Sequence, residues 1–210
     1  MFQPSSFYHN GESARGFHYE RLRRTLRLHG IMPVALYRGA ERCMGGVRLS
    51  VWHPVRPSSP RNPNHASLVL LLEYAGRTVL LPGDIEAEQE RSLLDFATMG
   101  PVDILLVPHH GSRTSSSPAF VSAFRPRFAV VSAGWHNRFR FPHAEVVRRY
   151  AATGSTILRT DWDGAIEFAI SAEGTLSWRT TRPPWNTWQT EPLEGPISRW
   201  NFVDWTCGQG

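Results

Sequence analysis

The chain has 210 residues, a length that suits one well-buried domain, alone or with a loose tail. Apolar residues make up 41% and there are 16 prolines and 17 glycines, so a loop-rich protein is expected rather than a helical bundle, and the lack of an 18-residue apolar run excludes a membrane-spanning helix. The net charge of +5 is compatible with an anionic partner such as nucleic acid, although the arginines are spread out, with Arg21, Arg23, Arg24 and Arg27 in one segment and Arg148 and Arg149 in another.

Residues 1–11 read as a frayed start without the basic region and apolar core of a secretory signal; that lack alone points to the cytoplasm and leaves the location open. A helix is expected over 13–28, with Tyr19, Leu22 and Leu26 on one side and Gly30 at its end. Cys43 and Cys207 are far apart and have no ligand-like neighbours, so neither a metal motif nor a disulfide framework is expected. Residues 47–52 alternate as a strand, and 54–64, with prolines three apart, form a loop. The apolar runs 68–74 and 77–81, joined at Ala75-Gly76, predict a hairpin.

A helix follows over 86–99, its acidic start matched to the helix dipole. Next come a buried strand over 104–107, a short helix over 119–124, a strand over 128–131 and a helix over 144–152. Strands over 156–158, 165–170 and 175–178 complete the domain, with turns at Asp163-Gly164 and Glu173-Gly174. The alternation predicts an α/β fold with mixed rather than purely parallel sheets. The chain divides into a flexible segment 1–16, a domain over 17–179 and a Pro/Trp-rich tail over 180–210, where Trp185, Trp188, Trp200 and Trp205 follow Trp178.

Two strand ends carry the chemistry. Asp84 follows an apolar strand and a glycine, a place where a carboxylate binds a metal, caps the next helix, or does both. His109 and His110 follow the run over 103–108, and adjacent side chains at a strand end point in different directions, so one imidazole can face a metal while the other contacts substrate. Ser112, Arg113 and Thr114 open a polar run with the composition of a phosphate-contacting loop. Asn137 and His143 bracket another loop, where His143 is either a further acid–base group or an ordinary helix-start residue. Asp161 and Asp163 read as turn residues.

Asn64-His-Ala-Ser-Leu-Val-Leu, Leu80-Leu-Pro-Gly-Asp-Ile-Glu, Leu106-Val-Pro-His-His-Gly-Ser-Arg-Thr-Ser, Val131-Ser-Ala-Gly-Trp-His-Asn-Arg-Phe and Leu158-Arg-Thr-Asp-Trp-Asp-Gly-Ala-Ile together resemble the C-terminal metallo-β-lactamase-like domain of the ComEC-type bacterial competence DNA-internalisation proteins, across about residues 17–170. The resemblance implies a partial metallo-β-lactamase-like αββα sandwich and a metal-dependent phosphodiesterase or nuclease acting on DNA. It implies Asp84 and His109 as holders of zinc or manganese, His110 and His143 as further catalytic groups, and Asn64, Ser67 and Asn137 as substrate-contacting positions. It also implies DNA, a membrane DNA-uptake protein or another copy of the chain as partners. Two departures stand out. Nothing before Asn64 carries a His-x-Asp-x-Asp-His type cluster, and Phe141 stands where the family commonly has a histidine before the proline. A two-metal centre needs more ligands than Asp84, His109 and His143 supply. The alternative expectation is therefore a catalytically inactive domain with a DNA-binding or assembly role.

Overall fold

Alternate residues along the central strands point to opposite faces, and both faces are apolar, the pattern of a sheet covered on two sides. The computed structural model describes residues 4–12, 16–56, 62–96, 100–184 and 187–191. In chain order these form β1 (Phe7–His9), α1 (Phe17–Leu28), β2 (Pro33–Ala35), β3 (Glu41–Met44), β4 (Val47–His53), β5 (Val69–Tyr74), β6 (Arg77–Leu81), α2 (Ala87–Leu94), β7 (Ile104–Leu106), α3 (Pro118–Phe124), β8 (Phe128–Val131), α4 (Ala144–Ala152), β9 (Thr156–Arg159), α5 (Thr160–Asp163), β10 (Ile166–Ile170), β11 (Leu176–Thr180) and β12 (Gln189–Glu191). Strands β3 to β9 make a seven-stranded sheet in sequence order, and β10, β11 and β12 make a second sheet. The β3–β6 pairings are antiparallel and the β6–β9 pairings parallel, so the expected mixed sheet is present.

One face of the large sheet presents Val69, Leu71, Leu80, Leu105, Ala129 and Val131 to Leu93 of α2, Phe120 and Phe124 of α3, and Val146 and Tyr150 of α4. The helices end in ways their residues dictate. Glu86 and Gln89 form a reciprocal capping box for α2, and Ser117 accepts from Phe120 N–H at the start of α3, with Pro118 in the first turn. The other face sets Ile104, Phe128, Val130 and Leu158 against Leu176 and Trp178 of the small sheet. Buried Arg77 joins the two sheets: Nη1 pairs with Asp103 at 2.9 Å, and Nε donates to the Gly174 carbonyl at 2.7 Å. Between the sheets an apolar groove of about 500 Å³ stays open, lined by Leu72, Tyr74, Val79 and Leu81 of the large sheet and by Ile166 and Phe168 of β10.

Several expectations need correction. Residues 7–9, within the segment expected to be flexible, pair in parallel with β2. Asp163-Gly164 is not a hairpin turn, because β9 and β10 belong to different sheets and α5 lies between them. Within the tail, β12 pairs with β11 and Trp188 lies under the Arg179 guanidinium, while Trp178, just before it, is a core residue; Trp185, Trp200 and Trp205 lie outside the described residues. Cys43 of β3 is disulfide-bonded, which the spacing of the two cysteines had not suggested; Cys207 lies outside the described residues. No helix among the described residues is long and apolar enough to cross a membrane.

Candidate functional site

The parallel strands β6, β7, β8 and β9 end on one edge of the large sheet, the edge where open α/β sheets place their ligands. Asp84 follows β6, His109 and His110 follow β7, the 132–142 loop follows β8, and Asp161 and Asp163 follow β9. The first two loops are tied together by His109 N–H, which donates to the Gly83 carbonyl at 3.1 Å. Both histidines adopt left-handed backbone conformations, with φ of 48° and 56°. Gly111 then turns the chain so closely under the next loop that a β-carbon there would lie 2.5 Å from Pro142 Cβ.

The side chains pair off. His110 Nδ1 lies 2.8 Å from the Ser132 carbonyl, which can only accept, so that nitrogen carries a proton. Its Nε2 faces Asp84 Oδ1 at 3.7 Å. His109 is held elsewhere: Nδ1 lies 3.6 Å from Glu86 Oε1 and Nε2 lies 3.5 Å from Asn64 Nδ2. Glu86 also receives the Thr114 hydroxyl at 3.2 Å and faces His65 Nε2 at 3.5 Å. Burial acts to raise the Glu86 carboxyl, but hydrogen bonds from Thr114, His65 and Asn64, together with the nearby His109, hold it below its ordinary value.

Asp84 and His109, expected to share an ion, thus belong to separate pairs. Asp84 does not cap α2 either; Glu86 does. Among the described residues no group of three or more His, Cys, Asp or Glu side chains is placed to hold a metal ion. Ser67 and Ser112 are used inside the protein. Ser67 Oγ accepts from Asp84 N–H at 3.2 Å, while Ser112 Oγ lies 3.1 Å from Thr114 Oγ1. Arg113 is exposed and faces Glu145 at 3.3 Å. Asn137 accepts from Phe141 N–H and donates to the Gly134 and Phe141 carbonyls, closing its own loop. His143 begins α4, and its ring meets that of Phe141 edge-on at 5.4 Å. Asp161 is bidentate to Arg159, and Asp163 accepts from Arg159 N–H; both lie in the short helix α5 rather than in a turn.

Sequence reasoning missed Glu86, His65 and Glu90 as parts of this region. Glu86 and His65 were within the motifs, but helix-start and loop roles hid them. Glu90 is fully buried and accepts from the N–H groups of Ser116 and Ser117. Burial pushes its carboxyl above the ordinary value, although those hydrogen bonds oppose the shift. Arg149 donates to the Ser116 carbonyl at 2.8 Å, and Tyr150 Oη lies 3.0 Å from Ser116 Oγ. Together these three clamp the loop that carries Ser112 and Thr114 onto the helical layer.

Comparison with known proteins points the same way as the topology. The sequence model of the metallo-beta-lactamase superfamily matches residues 4–135. The chain is 31% identical to ComE operon protein 3 of Bacillus subtilis (strain 168) over 169 residues, 80% of this chain and 21% of that protein. It is 36% identical to Competence protein ComA of Neisseria gonorrhoeae over 143 residues, 67% of this chain and 20% of that one. It is 38% identical to Recombination protein 2 of Haemophilus influenzae over 106 residues, 50% of this chain and 13% of that one. The chain therefore spans between 13% and 21% of the length of these curated relatives.

Proposed function

Because the chain belongs to the metallo-β-lactamase superfamily and has its α/β fold with mixed sheets, we propose that it is a nucleic-acid-handling domain of a DNA-uptake system that binds a DNA strand at the β6–β9 edge without cleaving it on its own. The observation that carries this reading is the pairing-off of the chemistry-bearing groups. Asp84 faces His110 and Glu86 faces His109, so the carboxylates orient imidazoles instead of gathering around one ion. The resemblance to competence and recombination proteins supports DNA as the partner class, and the excess of basic residues is in keeping with it.

A second reading, metal-dependent phosphodiester hydrolysis with ligands added from outside this chain, is favoured by one observation. Asp84, His109 and His110 sit on neighbouring strand ends, where a few added ligands would complete a cage for zinc or manganese. Metal content and cleavage of single- and double-stranded DNA by the purified chain and its Asp84→Ala variant separate the two. Strand binding without bound zinc or manganese and without cleavage is the expected result. Stoichiometric metal with cleavage that disappears in Asp84→Ala would replace the first reading with the second.

A further inference from the structure

Beside the histidine corner, the 134–142 loop and α5 enclose an open cleft of about 440 Å³ lined by Trp135, Arg138, Arg140, Phe141, Arg159 and Trp162. We propose that this cleft is a stacking site for the unpaired bases of a single-stranded polynucleotide, a proposal that rests on the nucleic-acid reading above and gives that reading its contact surface.

Three observations carry it. First, large aromatic side chains stand in solvent around the cleft: Trp135 is 66% exposed, Trp162 60% and Phe139 55%. Clustered apolar rings on an otherwise polar surface mark a place where something binds. Second, guanidinium groups are interleaved with the rings. Arg159 lies over the Trp162 ring at 3.6 Å and Arg138 over Phe139 at 4.6 Å. The carboxylate of Asp161 is taken up by Arg159, and among the described residues neither Arg138 nor Arg140 has an ion-pair partner. The cleft is therefore net positive, as a phosphate backbone requires. Third, the rings form a ladder that leads to the histidine corner. Phe139 stacks on Phe141 at 5.4 Å with planes 19° apart, and Phe141 stacks on His110 at 6.4 Å and 23°.

The surface is also held ready. The three hydrogen bonds of the Asn137 side chain close the loop, and Pro142 packs against Gly111. A bound strand thus meets a formed surface and loses less freedom in ordering it. Flat rings alternating with cations match a strand whose bases are free, because each base offers a face to a ring and each phosphate a charge to an arginine. A duplex keeps its bases stacked on one another, and an acidic peptide satisfies the arginines while leaving the rings without flat partners.

The test is fluorescence anisotropy with the full chain and labelled 15-residue oligothymidylate, oligouridylate and a duplex of equal length, with polyglutamate as competitor. Single strands are expected to bind at least tenfold more tightly than the duplex. Trp162→Ala and Trp135→Ala should each weaken binding roughly tenfold, Trp162→Phe should recover most of the loss, and Arg140→Gln should lower the salt dependence of binding. Unchanged melting temperatures would show that these exposed substitutions leave the fold intact. Oligonucleotide binding that ignores both tryptophan substitutions would overturn the cleft and leave the nucleic-acid reading standing. Absence of binding to every oligonucleotide would overturn both. Tight uridylate binding with no thymidylate binding keeps the cleft and removes DNA as its strand, whereas polyglutamate binding that needs the same rings assigns the cleft to an acidic peptide and overturns the proposal.

Discussion

The two faces of the seven-stranded sheet are finished to different degrees. On the helical side Leu80, Leu105, Phe120 and Phe124 are fully buried, and the helices that cover them come from the short connections between successive parallel strands. On the opposite side Val79, Leu81, Ile166 and Phe168 are only half-buried around a groove, and β10 ends its sheet with one edge unpaired among the described residues. Local crossovers complete the first face, whereas the second depends on strands that return from farther along the chain. The contrast places most of the fold's stability on the helical side and makes the other side the one open to change.

Substitutions test that contrast directly. Phe124→Ala should cost about 3–5 kcal/mol, the range for removing a buried phenyl ring, as read by urea unfolding. Arg77→Met removes the side chain that joins the sheets and leaves Asp103 without its cation, and because Asp103 keeps some contact with water the loss should be about 2–3 kcal/mol. Phe168→Ala, on the open side, should cost about 1–2 kcal/mol, well under the Phe124 value, since its ring is already partly in water. A loss equal to that of Phe124→Ala would erase the difference between the faces.

A pH titration adds a smaller effect. His53 is buried, its Nδ1 has no hydrogen-bond partner among the described residues, and burial lowers its pKa, helped by Arg38 and His65 against the bond to the His65 carbonyl. The folded chain keeps this imidazole neutral while the unfolded chain takes up a proton below about 6.5. Its contribution is therefore full above that pH and is lost as pH falls through it. His53→Gln should flatten the melting-temperature profile below about pH 6.5; an unchanged slope would assign the loss to other groups. Leu72→Ser in the groove should cost about 1 kcal/mol, because the side chain is already half in solvent.

Much of this was legible in the sequence, and the failures share a cause. The hairpin at 68–81 and the strand over 128–131 were readable as short apolar runs, and the helix over 144–152 by apolar residues at helical spacing. Strands β1, β2, β3 and β12 are three or four residues long and poorly buried, too short for a period to be read. At the site, Asp84, His109 and His110 could be found because polar residues directly after apolar strands stand out. Their partners could not be assigned, since Glu86 and His65 are separated by 21 positions of chain and meet only when β5 and β6 pair. Glu90 was hidden for another reason: an acidic residue in the first turn of a helix looks like ordinary dipole compensation, although here the carboxylate is buried under a loop.

The two histidines that follow β7 also carry a cost. Consecutive residues other than glycine in left-handed conformations each oppose folding by about 1 kcal/mol, a load this corner bears to aim both rings across one strand end. Stability and usefulness therefore pull against each other at this position. His110→Gly should give a chain that melts at a higher temperature while losing the ring beside Asp84, so selection for hardiness alone would erode this corner first.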